Sequence, residues 1–129
     1  MKIFLFILLF FPKILFAEWV FFSKAEGDVY NAYYNSESIK REGQFIYYHQ
    51  MFDLFEPMEY NGAYFLSMKS YLKINCINFE IQPKTVKMFD EPLGEGNVID
   101  ETYVADAEWE KQSSTSMDVQ INKYLCKNY

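Results

Sequence analysis

Period-2 patterning of aromatic and apolar residues dominates the chain from Trp19 onward. Alternation of that kind belongs to strands, whose side chains point to opposite faces in turn; on a helix the same residues would scatter around the axis. The longest such stretch is Gln44–Leu54. It places Phe45, Tyr47, His49 and Met51 on one face and Ile46, Tyr48, Gln50 and Phe52 on the other. Both faces are largely apolar, which predicts a central strand covered on two sides. Trp19–Phe22 begins an earlier strand, Glu26-Gly27-Asp28 turns the chain into Val29–Tyr34, and Asn35–Ser38 turns it again before the short polar strand Ile39–Arg41. The aromatic share of 20% fits half-buried sheet faces.

Glu56-Pro57 and Asn61-Gly62 are expected to bracket a loop. A long strand from Ala63 to Cys76 then sets Leu72, Ile74 and Cys76 against Tyr71, Lys73 and Asn75. Beyond it the apolar positions are Ile77, Phe79 and Ile81, a shift of one that a β-bulge beside the cysteine would produce. Pro83 restricts Thr85–Phe89 to a sheet edge or a fresh strand start. Residues Asp90–Val98 read as loop, and Tyr103–Glu110 as a strand alternating Ala105, Ala107 and Trp109 with acids. Thr115 followed by Asp118 resembles a helix cap, and Met117, Ile121, Tyr124, Leu125 and Cys126 recur at helical spacing. The expected fold is mainly β (α+β): a curved antiparallel sheet of about six strands with a C-terminal helix packed on one face.

The first residues are of a different character. Lys2, an apolar run over Ile3–Phe11, and Leu15-Phe16-Ala17 before Glu18 form the pattern of a secretory signal peptide cleaved after Ala17. Pro12 and Lys13 interrupt the run too early for a bilayer span. Residues 1–17 are therefore read as leader and 18–129 as one domain, with no transmembrane span after cleavage. Loss of Lys2 and Lys13 takes the formal charge from −6 to −8, which argues against nucleic acid and anionic lipid as partners.

Export gives the two cysteines a meaning. Cys76 and Cys126 would most simply pair with each other in an oxidising compartment, the alternatives being free thiols or a metal pair short of ligands. If paired, they would join the strand end at residue 76 to the helix at residue 126.

No residue pattern specifies chemistry. His49 is the only histidine, and it shares its face with Phe45, Tyr47 and Met51, so a packed core histidine is expected rather than a catalytic base or a metal ligand. Gly94-Glu95-Gly96 lacks the third glycine, the lysine and the following helix of a phosphate cradle, and reads as a turn. Asp90, Glu91, Glu95, Asp100, Glu101, Asp106, Glu108 and Glu110 form a dense acidic stretch. Same-face acids two apart on a strand stand about 7 Å from each other, so a solvated acidic edge is expected rather than a calcium site. Catalytic, cofactor-binding and metal residues are thus all read as none.

Several segments resemble the surface-adhesin protein E family, small secreted or lipid-anchored proteins of Gram-negative bacteria. They are Val29–Tyr34 with Asn35-Ser36-Glu37-Ser38-Ile39-Lys40-Arg41-Glu42-Gly43, then Lys73-Ile74-Asn75-Cys76, Gly94-Glu95-Gly96-Asn97-Val98, Trp109, and a last helix ending in Cys126. The family pattern carries aspartate where this chain has Asn35 and Asn75. The resemblance implies a bent sheet with a disulfide-tethered terminal helix, placed in the periplasm or at the cell surface. It also implies binding of a host matrix protein; with no catalytic motif in the chain, the expected role is non-enzymatic binding of a protein partner, a host matrix protein or an envelope protein, through an aromatic and acidic sheet surface. The competing reading is a periplasmic small-ligand binder or an inhibitor of a basic secreted hydrolase such as lysozyme.

Overall fold

The computed structural model describes residues 19–104 and 107–129. The leader reading of residues 1–17 and the positions of Ala105 and Asp106 lie outside these described residues. Seven strands and one helix follow the chain: β1 (Trp19–Lys24), β2 (Tyr30–Asn35), β3 (Lys40–Glu42), β4 (Phe45–Tyr60), β5 (Ala63–Asn75), β6 (Ile81–Phe89), β7 (Val98–Tyr103) and α1 (Met117–Asn128). The strands form one antiparallel, open, curved sheet in the order β1-β2-β4-β5-β6-β7, and β3 pairs with the start of β4 beyond the end of β2.

The two long central strands behave as their alternation requires. Ile46 and Tyr48 of β4 and Ile74 of β5 are fully buried, and Leu72 nearly so. They meet Ile121 and Leu125 of α1, with Ala32, Tyr34 and Ile81 closing the same core. Full burial of Ile121 and Leu125 is worth about 1.5–3 kcal/mol each. Ser116 caps the helix by accepting from the Val119 amide at 3.3 Å. The cap therefore falls one residue after Thr115. At the other end Arg41 of β3 donates from Nη1 to the carbonyls of Cys126 (3.1 Å) and Tyr129 (2.6 Å), placing a cation at the helix's negative pole. Cys76 and Cys126 form the disulfide, their Cα atoms 5.7 Å apart and 50 residues apart in sequence. By loop-closure arithmetic a bridge of that span is worth about 4 kcal/mol.

Five expectations are corrected. The segment from Glu56 to Tyr60 is strand rather than loop: β4 runs on to Tyr60, which pairs with Ala63 across a two-residue turn. Asn61 and Gly62 both have positive φ (49° and 81°), the hairpin geometry that an Asn-Gly pair favours. Irregularity is confined to residues 54–57, four residues opposing the single Leu66, and there Pro57 escapes the ladder. No bulge flanks Cys76. The phase shift arises because β5 has ended and the chain turns through residues 76–79, with Asn75 Oδ1 accepting from Ile77 N at 3.0 Å and Phe79 at φ 57°. Pro83 lies within β6, which is an interior strand. The bulge is here, at Lys84, between the pairs Leu72–Pro83 and Tyr71–Thr85. Ile81 sends its N–H to Glu110, away from β5, so the missing N–H of Pro83 two residues on also lies off the β5 ladder.

The last strand is Val98–Tyr103 rather than Tyr103–Glu110. Among the described residues of the later stretch, Glu110 pairs as an isolated bridge to Ile81. Finally, β4 is covered by the helix on one side only. Its other face carries His49 exposed rather than packed in the core, because the strand's parity gives the helix side to Ile46, Tyr48 and Gln50.

Candidate functional site

The sheet face opposite the helix is assembled from cross-strand rows. Phe21, Tyr33, Met51, Lys69, Lys87 and Glu101 occupy one row, each in register with its neighbour across five strand pairs. The next row is His49, Tyr71, Thr85 and Tyr103, and the next Lys40, Tyr47, Lys73 and Gln82. One end of this face is roofed by the turn after β6. Ser67 Oγ donates to Glu91 O (2.6 Å) and accepts from Gly94 N (2.8 Å), while Leu93 N donates to Asp53 Oδ1 (2.8 Å). A Cβ at Gly94, where φ is 69°, would come within 2.1 Å of Lys69 Cε. A bare glycine is what lets the turn lie on the lysine stem.

The centre of the face is half-buried, with His49 exposed. His49 and Tyr71 stack with centroids 4.5 Å apart, Tyr71 and Tyr47 at 6.3 Å, and Phe45 and Trp109 at 5.7 Å. Lys73 Nζ lies 4.4 Å from the Phe45 ring centroid and within 5.6 Å of Tyr47 and Trp109. Lys69 Nζ lies between Trp19 (5.5 Å) and Phe89 (5.3 Å). Lys87 pairs with Glu101 at 3.4 Å and Lys40 with Glu42 at 3.0 Å. Tyr103, 72% exposed, donates its hydroxyl to Glu101 and holds that carboxyl below its usual range, with Lys87 adding to the effect. Burial lowers the His49 pKa below 6.5, and Lys69 and Lys87 push it further down. The imidazole is therefore neutral at pH 7. His49, Lys69, Tyr71, Thr85, Lys87 and Tyr103 line a shallow cavity of about 280 Å³, and among the described residues no aspartate or glutamate lines it.

The acidic stretch does not converge. Asp90 holds its own turn through Asn97 (2.7 Å to N), Glu101 serves Lys87 and Tyr103, and Asp100 accepts from Thr102 at 3.2 Å. Among the described residues no three His, Cys, Asp or Glu side chains gather as a metal site needs. Gly94-Glu95-Gly96 is a turn, as read from the sequence. The lysines were the missed signal. Lys69, Tyr71 and Lys73 alternate along β5, so their shared face was available from the same period that located the core.

A family profile described as surface-adhesin protein E matches residues 19–127. The chain belongs to the surface-adhesin protein E family. Solved structures of Haemophilus influenzae protein E share the fold. A selenomethionine form superposes with a TM-score of 0.61 at 16% identity, covering 92% of each chain. A second crystal form gives 0.59 at 19%, covering 85% of this chain and 98% of that one. Direct comparison with curated proteins finds no match. In this surface-adhesin E domain, the segments that carried the resemblance are largely structural. Asn35 Oδ1 accepts from Glu37 N and Asn75 Oδ1 from Ile77 N, each at 3.0 Å. Asparagine thus keeps the turn-closing acceptor that an aspartate would supply. Arg41 clamps the helix end.

Proposed function

We propose that this surface adhesin-like protein is exported, with residues 1–17 removed, and holds a macromolecular partner against the open face of its sheet without catalysing a reaction. The observation that carries this reading is the asymmetry of the two faces. One is sealed by a helix and a disulfide, while the other leaves stacked aromatics and lysines half-buried and open to contact. Lysines there deprive a basic hydrolase of charge complementarity with this face. The partner is a host matrix protein or a component of the bacterial envelope, and the location is the cell surface or the periplasm.

Two measurements test the reading. Fractionation with protease shaving of intact cells should find the mature chain beginning at Glu18 outside the inner membrane. Immobilised matrix proteins should retain the purified domain, and Tyr71→Ser should weaken retention at least fivefold while leaving thermal unfolding within 3 °C. A chain that keeps residues 1–17 and stays cytoplasmic would overturn the proposal.

A further inference from the structure

We infer that the centre of the open face binds an anionic polysaccharide. The inference rests on the open face being the contact surface and names the ligand chemistry for it.

Charge placement is the first ground. The full chain carries six more acids than bases, yet Lys40, Lys69, Lys73 and Lys87 all lie on this one face. Lys69 and Lys87 stand directly opposite each other in register, about 5 Å apart at the backbone. Like charges so placed repel, and a bound polyanion removes that repulsion. Lys73 lies four residues along β5 from Lys69, about 13 Å, and Lys40 two strands from Lys73, about 10 Å. The cations thus form an extended track rather than a point, which suits a linear chain bearing repeated anions. Among the described residues Glu42, Asp53, Glu95 and Glu101 stand near the track, and Asp53 is taken up by the Leu93 amide of the roofing turn. Glu42 and Glu101 pair with Lys40 and Lys87, and Glu95 attracts Lys69 from the roofing turn; Lys73 has only ring faces as neighbours among the described contacts.

Ring orientation is the second ground, and it separates a sugar chain from a nucleic acid. Proteins that hold single strands offer free aromatic faces for bases to stack on. Here His49 stacks on Tyr71, Tyr71 on Tyr47 and Phe45 on Trp109, so much of the face area is taken. Rings that cover one another's faces offer a ligand mainly their edges, the positive rim of the quadrupole. Edges and ammonium groups complement sulfates, carboxylates and sugar hydroxyls.

The test titrates the folded, disulfide-bonded protein with heparin, chemically desulfated heparin, neutral dextran and a single-stranded oligonucleotide of matched charge. Heparin should bind at 50 mM salt and weaken steeply as salt rises, and dextran should not bind. Lys69→Gln with Lys87→Gln should weaken heparin at least tenfold and lower the salt slope by about 1 per lysine. Lys69→Arg with Lys87→Arg should restore it, and Lys123→Gln with Lys127→Gln on the helix should leave it unchanged. Desulfated heparin binding as well as heparin would assign the anion to carboxylate, weaker binding to sulfate, and both support the inference. No heparin binding, equal loss in the helix variant, or equal affinity for the oligonucleotide would overturn it. If heparin fails while Tyr71→Ser still loses the matrix protein, the open face remains the contact surface and only the polysaccharide falls.

Discussion

The two faces of one sheet are built from the same strands and obey opposite rules. On the helix side, Ile46, Tyr48, Leu72 and Ile74 present apolar surface that α1 removes from water. Three polar groups there form a short network: Tyr48 Oη donates to Gln50 Oε1 at 2.9 Å, and Gln50 Nε2 donates to Asp118 Oδ1 at 2.9 Å. Across the sheet, Tyr47, His49, Tyr71 and Lys73 fill the alternate positions with rings and charges left accessible to solvent. One face is therefore committed to stability and the other is free for contact. A single-residue slip in register would exchange the two roles.

The contrast predicts where substitutions hurt. The largest effect should come from Cys76→Ser with Cys126→Ser, which releases the helix from the sheet. A loss of about 4 kcal/mol is expected, read by urea denaturation with and without reductant. A loss below about 1 kcal/mol would mean that helix packing alone maintains the sealed face. Next, Leu125→Ala should cost about 3 kcal/mol by opening a cavity under the helix, since Leu125 is fully buried. Tyr71→Ala on the open face should cost less than about 1 kcal/mol, because it removes stacking without leaving a void. Equal costs at 125 and 71 would erase the distinction between the faces.

How much of this was legible depended on whether a local period carried the information. Alternation located β1, β2, β4 and β5, helical spacing located α1, and the cysteine pair specified where strand end and helix meet. The open face was misread for a physical reason. Phe45, Tyr47 and Met51 are as apolar as their neighbours, and only the position of α1 decides which parity is sealed; Met51, on the open side, is buried even so. The turn at Cys76 was read as a bulge, because either shifts the phase by one, and the bulge at Lys84 was not read. β7 was missed because an edge strand with acids at 100 and 101 has little apolar pattern to display.

Smaller effects sharpen the comparison at the helix ends. Arg41→Gln should cost about 1 kcal/mol by removing the cation and two hydrogen bonds from the C-terminal carbonyls, and high salt should recover part of that loss. Loss of the disulfide in this variant would show that Arg41 also positions Cys126, a stronger role than the contacts require.

The smallest effect concerns Asp118, where the sealed face takes in a charge. Burial raises its pKa above 3.8, against the opposing pull of the hydrogen bond from Gln50. A raised folded-state pKa means that the native protein holds this proton at a pH where the unfolded chain has released it. The stabilising effect of the proton is complete below about pH 3.8 and fades as pH rises through the folded value. At pH 7 the ionised group sits in a poor environment, partly offset by its place in the first turn of the helix. Asp118→Asn keeps an acceptor for Gln50 and drops the charge. Its stability at pH 7 should lie within about 1 kcal/mol of the parent, and the parent should gain on it steadily as pH falls from 7 to 3. Denaturation midpoints of the two proteins at four pH values would decide this. A parent that loses ground to the variant on acidification would place Asp118 among ordinary stabilising carboxylates and would remove the charge penalty assigned here to the sealed face.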